Sequence, residues 1–139
     1  MYTSVITDQI DEDLETALRI AKLYGYTHVE LHNVFGKSIE ECSLKEIITI
    51  RTLLNTYDLK VSCIASTVFF LCPLMENDKV SLFNPAFYAI EGDVSTHLRY
   101  LKSACRIAKK LNCPRVRIFP FRFPDNRPPA YGTQEHIAL

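Results

Sequence analysis

Three ionisable residues stand where aliphatic residues would be expected: Glu30 and His32 in the run VELH, and Arg117 in the run RVRIF. A charge placed in such a run is costly to bury, so each needs a partner or a chemical task. A glutamate can accept hydrogen bonds from hydroxyl groups, or be neutralised by a cation such as Arg117. These roles are compatible, since a paired carboxylate can still face a ligand. A neutral imidazole at His32 can take or give a proton near neutral pH, and the alternative is a loop histidine that caps the following turn. The planar guanidinium of Arg117 suits a carboxylate or a phosphate. Arg122, five residues on, can reach the same space or simply lie in solvent.

The elements that position these residues are read from an internal repeat. Ile20-Ala21-Lys22 followed by Gly25 to Leu31 aligns without a gap on Ile107-Ala108-Lys109 followed by Asn112 to Ile118, at an offset of 87 residues. Each copy reads as a helix, a stop at a residue tolerant of left-handed backbone, and a strand with an ionisable residue between two aliphatics. Glu30 and Arg117 fall on equivalent places. A shorter third copy, Tyr57 to Ser62, puts Ser62 there. Alternation sets Val116 and Ile118 on one face of the last strand, with Arg117 and Phe119 on the other. His32 shares the parity of Glu30 and lies two residues nearer the strand's C-terminal end.

A chain of 139 residues with 47% apolar content can bury one ordinary core, so a single domain is expected over 1–139. Sixteen basic and sixteen acidic residues are interspersed, which argues against nucleic acid or an anionic membrane as a partner. The longest apolar run, near Val68 to Leu74, is too short to cross a bilayer, and the N-terminus lacks a secretion signal. The expectation is a cytoplasmic protein. Cys42, Cys63, Cys72, Cys105 and Cys113 form no CxxC pair and have no histidine at zinc-site spacing, so they read as ordinary thiols.

In order, the chain predicts a strand over Ser4 to Thr7, then a helix opened by Asp11, Glu12 and Asp13 with the stripe Leu14, Ala17, Leu18, Ala21 and closed by Gly25. His28 to Leu31 is the second strand. Ser43 and Glu46 stand at capping-box spacing before a second helix, and Val61 to Ser66 is the third strand. Between Thr67 and Gly92 lies a long aperiodic stretch rich in aromatics, Phe69 among them, of the kind that forms lids or covers an exposed core. Asp93 caps a third helix with the stripe Val94, Leu98, Leu101, Ala104 or Cys105, Ala108 and Leu111. His97 and His28 read as structural. Pro124 to Pro129 reads as a solvated connector. Thr133 then looks like the cap of a fourth helix that stops almost at once, which predicts the front part of a longer protein.

Helices alternating with strands call for parallel strands and right-handed crossovers. Polar residues on inward positions of alternate strands favour a (β/α)8 barrel over a doubly wound sheet, because barrel strands can project polar groups toward a C-terminal mouth. The expected fold is α/β, with parallel (β/α) units forming the first half, about four strands, of such a barrel. The runs YGYTHVELHN and LNCPRVRIFPF, each led in by an amphipathic helix, resemble the sugar phosphate isomerase and epimerase superfamily, the xylose-isomerase-like barrels.

That resemblance covers nearly the whole chain and implies an enzyme that moves a proton beside a carbonyl in a sugar or sugar phosphate. It implies a divalent metal ion (Mn2+, Mg2+, Co2+ or Zn2+) held by later strands, with none bound by this chain alone. Glu30, His32 and Arg117 are then the candidate catalytic residues, and Ser66, Phe69, Phe119 and Arg122 the candidate substrate contacts. Two other readings stay open: an abasic-site endonuclease-like barrel, which zero net charge disfavours, and a non-catalytic half-barrel that binds a small ligand or forms a homodimer through open sheet edges.

Overall fold

A computed structural model describes residues 1–82 and 84–126. In chain order its elements are β1 (Ser4–Ile6), α1 (Leu14–Leu23), β2 (His28–Leu31), the two-residue strands β3 (Asn33–Val34) and β4 (Lys37–Ser38), α2 (Leu44–Thr56), β5 (Lys60–Ile64) and α3 (Val94–Lys110). Thr7–Gln9 and Ile39–Glu41 are 3-10 turns. β1, β2 and β5 form one parallel sheet in that order, as the βα repeat predicts. Val116 adds a parallel bridge to Ile64, with Ile64 N–H donating to the Arg115 carbonyl and Arg117 N–H to the Ile64 carbonyl, both at 2.9 Å. Sheet order therefore follows chain order through the fourth segment.

Helix ends are specified locally. Asp13 accepts from Thr16 N–H at 2.9 Å and Asp93 from Thr96 N–H at 2.8 Å. Ser43 and Glu46 bond reciprocally, at 2.7 and 3.2 Å, so α2 starts on the predicted capping box. Ser43→Ala should cost about 1 kcal/mol, read as a lower urea midpoint at unchanged slope. Gly25, at φ +81°, turns the chain from α1 into β2, where only glycine is unstrained. The core lies between the helices and one sheet face, where Leu18, Ala21, Val29, Leu31, Ile50, Val61, Ile64 and Ile107 are buried.

Four expectations change. The run from Arg115 to Phe123 is a strand only at Val116; Ile118, half exposed, leaves the core face, and Phe119 N–H turns to the Val68 carbonyl at 2.9 Å. On α3 the buried face is His97, Ala104, Ile107 and Ala108, while Val94, Leu98 and Cys105 are exposed. His32 to Lys37 does not simply lead away: Phe35 (φ +57°) and Gly36 (φ +74°) form the two-residue turn of a hairpin that pairs β3 with β4. The Pro124 to Pro129 connector is, in its described part, tied down, because Asp125 accepts from Ser81 N–H and Oγ–H, each at 2.7 Å. The predicted fourth helix at Thr133 lies outside the described residues.

A bulge shapes the other sheet face. Val29 pairs with Val61 but Glu30 pairs with Cys63, so Ser62 is the extra residue and Cys63, rather than Ser62, matches Glu30. The Ser62 hydroxyl donates to the Val29 carbonyl at 3.3 Å and lies 2.6 Å from the Ser4 hydroxyl, across β2. First and third strands of a flat sheet are nearly 10 Å apart. Two serines can touch over β2 only if the sheet curls toward them, so this face is concave.

The long stretch between Thr67 and Gly92 contains no helix or strand among its described residues, only a bridge between Leu71 and Glu91. Two buried ionisable side chains fasten it. Glu40 accepts from Thr67 N–H at 2.7 Å and from the Ser38 hydroxyl, and the Thr67 hydroxyl accepts from Ile90 N–H at 3.0 Å. His97 Nδ1 accepts from Phe69 N–H at 2.9 Å, so the ring hydrogen sits on Nε2, which donates to the Leu71 carbonyl at 3.2 Å. The structural reading of His97 thus has a definite content.

Candidate functional site

Extending the β1–β2 register two residues past Ile6 and Glu30 brings Asp8 beside His32, at the C-terminal ends of the strands. Asp8 Oδ2 lies 2.8 Å from His32 Nδ1, and the two side chains are 17% and 7% exposed. The Phe87 ring stacks on the imidazole with centroids 5.1 Å apart. A pocket of about 190 Å³ opens there, lined by Asp8, His32, Asn33, Phe87, Arg117 and Phe119 among others. Arg117 enters from the fourth segment; its Nε donates to the Ser66 carbonyl at 3.2 Å and its Nη2 to the Ala65 carbonyl at 3.0 Å. Its guanidinium lies 4.8 Å from the centre of the Phe119 ring.

Burial alone would raise the Asp8 carboxyl. The hydrogen bond to His32 and its charge, with the nearby main-chain N–H groups of Asn33 and of Asp8 itself, outweigh that and hold it below the ordinary 3.8. An ionised carboxylate can only accept, so His32 carries its hydrogen on Nδ1 and, when neutral, has a lone pair on Nε2. That Nε2 is buried and has no hydrogen-bond partner; the same is true of Thr7 Oγ1, Asp8 Oδ1 and Asn33 Oδ1. Unpaired buried polar atoms are costly, and four on neighbouring residues at the strand ends mark a place built for something other than stability. The pair can act as a base at Nε2, with Asp8 stabilising the imidazolium that results.

Of the seven residues singled out in the sequence, His32, Arg117 and Phe119 come together at this pocket. Glu30 is half-buried on the concave face and does not line it, and the expected Glu30–Arg117 ion pair does not form. The guanidinium is drawn instead to the two carbonyls past the end of β5. Ser66 is buried, and its hydroxyl accepts from Val68 N–H at 3.2 Å within a turn. Phe69, at φ +69°, stacks on His97 and on Phe121. Arg122 lies over the Phe70 ring and donates to the Ser81 carbonyl at 2.6 Å. Asp8 and Asn33 were not foreseen, and Phe87 was foreseen only as one of the aromatics of the Thr67 to Gly92 stretch that could form a lid or cover the core. Asp8 follows once the register is known, since it stands as far beyond Ile6 as His32 beyond Glu30.

His28 belongs to the opposite end of its strand, stacked on Tyr2 with centroids 3.7 Å apart. All five cysteines are free thiols. Burial pushes Cys42 up to about 12 and raises Cys63, Cys72 and Cys113, which makes them poor nucleophiles. Among the described residues no three of His, Cys, Asp and Glu converge to hold a metal, and Asp8 and His32 are bonded to each other. The resemblance puts the ligands of its divalent ion on later strands, so no chemical step here runs through one. Among the described residues no helix is long and apolar enough to cross a membrane. No family model, curated protein or solved structure matches this chain.

Proposed function

We propose that the strand ends of this chain form the substrate-holding and proton-transferring part of a sugar or sugar phosphate isomerase or epimerase, on the first strands of a (β/α)8 barrel. The observation that carries this reading is the buried Asp8–His32 pair with an unpartnered Nε2 at a pocket walled by Phe87 and Phe119. Sheet order that follows chain order, a concave open face and a site at the strands' C-terminal ends support the barrel. In this reading Nε2 removes the proton from the carbon beside a carbonyl and returns it to a neighbouring position. Arg117 faces the oxygen on which charge develops, and the rings cover the apolar face of the sugar. The carboxylates that would hold a divalent ion are not among the described residues.

The test is saturation-transfer NMR with a panel of aldoses, ketoses and their phosphates, followed with Mn2+ present by deuterium uptake from D2O beside the carbonyl. Sugars should receive saturation from the protein's aromatic protons, and His32→Gln should reduce any deuterium uptake at least about a hundredfold. Transfer to no sugar in the panel would overturn the reading. A second reading, a non-catalytic homodimer, draws on β1 and the Val116 segment, which have one sheet neighbour each among the described residues. A discrete dimer on size exclusion, with no sugar binding, would favour it.

A further inference from the structure

Resting on that reading, we infer that Asn33 is a specificity-determining contact of the His32 pocket: its side-chain oxygen accepts from a hydroxyl of the sugar, so the pocket selects a ligand that presents an O–H at that place. His32 and Asn33 both line the pocket of about 190 Å³, and each has a buried polar atom without a partner, Nε2 in one and Oδ1 in the other. His32 is 6% exposed, and Asp8 and the Phe87 ring hold its imidazole in place. Its lone pair serves the proton transfer. The oxygen of Asn33 is a second acceptor, one that takes no proton itself and for which the chain supplies no donor.

Alternation along a single strand would turn the Asn33 side chain away from that of His32. The chain leaves the β1–β2–β5 sheet after Leu31, however, and Asn33 pairs with Ser38 in the hairpin, which lets two consecutive residues line one pocket. That pairing, with the approach of the Asn33 main-chain N–H to the Asp8 carboxylate, fixes the backbone there. Arg117, which also lines the pocket, directs Nε and Nη2 to the carbonyls of Ser66 and Ala65. A hydroxyl donates to an amide oxygen, whereas a deoxy position offers nothing. A site whose buried acceptor is left unpaired by the deoxy analogue discriminates more strongly than a pocket that merely loses apolar contact. The same unpaired oxygen is a cost in the free protein, and an apolar residue of similar volume at position 33 removes it.

Asn33→Leu and titration calorimetry of the full chain test this, with glucose and its 2-, 3-, 4- and 6-deoxy analogues as probes that each remove one donor. The wild type should bind glucose at least about tenfold tighter than one of the four analogues. In Asn33→Leu, glucose should weaken to the level of that analogue, the two agreeing within about twofold. The urea midpoint of the variant should equal or exceed that of the wild type, because an unpaired oxygen has been removed. A lower midpoint would give that oxygen a structural task and overturn the inference, as would discrimination that survives the substitution. If glucose and all four analogues bind alike and His32→Gln abolishes that binding, the proposed function stands while the Asn33 assignment falls. Absence of glucose binding also overturns the assignment, and the proposed function falls with it only where no sugar of the NMR panel receives saturation.

Discussion

Asp8→Asn is expected to move the His32 ring hydrogen from Nδ1 to Nε2 and to lower any turnover by about ten-thousandfold, the loss seen when a catalytic histidine is held in the wrong tautomer. The side chain at position 8 has two polar ends. Oδ2 faces His32 Nδ1, and the carboxylate as a whole lies near the main-chain N–H of Asn33, which favours an oxygen there. In the asparagine variant the amide oxygen stays with that N–H, and the NH2 group turns to the imidazole. Nδ1 must then accept, so the hydrogen resides on Nε2 and its lone pair is gone. Nitrogen-15 shifts of the His32 ring read the change without any substrate. If Nδ1 stays protonated in the variant, the orienting role given to Asp8 is wrong.

The second large effect concerns His97 and the segment that carries Phe87. Burial holds this imidazole below its ordinary 6.5, opposed more weakly by the Leu71 carbonyl and by Glu40 and Asp93. Only the neutral ring can accept from Phe69 N–H while donating to Leu71. A histidine depressed in the folded state binds its proton more readily when unfolded, so its contribution is complete above pH 6.5. It declines as the pH falls below 6.5 and is fully lost once the pH passes below the folded value. His97→Gln can keep both bonds without titrating. It should match the wild type at pH 8 and exceed it in urea midpoint at pH 5. His97→Leu strands two buried main-chain groups and should cost about 3 kcal/mol at either pH. A wild type and glutamine variant with parallel pH profiles would refute the assignment.

These two histidines show how far residue types alone can be read. His32 was placed at the strand end by parity, but its partner Asp8 emerged only with the β1–β2 register, and nothing in its immediate neighbours marks it. His97 lies in a helix whose apolar residues suggested a stripe through Leu98 and Val94. The observed face is rotated because a buried imidazole with both nitrogens bonded is better placed inward than two aliphatics that have no surface to cover. Helix periodicity shows that a face exists, and packing selects which one.

Glu30 and Arg117 make the same point for charges. Alternation put both on the open side of the sheet, and there they are. Their pairing depended on a register that a one-residue bulge at Ser62 displaces, and on two carbonyls past the end of β5 that no side-chain pattern reveals.

What the amino-acid order determined by itself was local: the α2 and α3 caps, the stop at Gly25, the βα repeat with its parallel strands, and the face on which Glu30, His32 and Arg117 lie. These follow from dihedral preference and hydrogen bonds within a few residues. Which side chains meet across the strand ends was decided only by tertiary structure. Register, sheet curl and the path of an aperiodic segment bring Asp8, His32, Phe87 and Arg117 together from four separate places, and contacts of such long range leave no periodic trace in the chain.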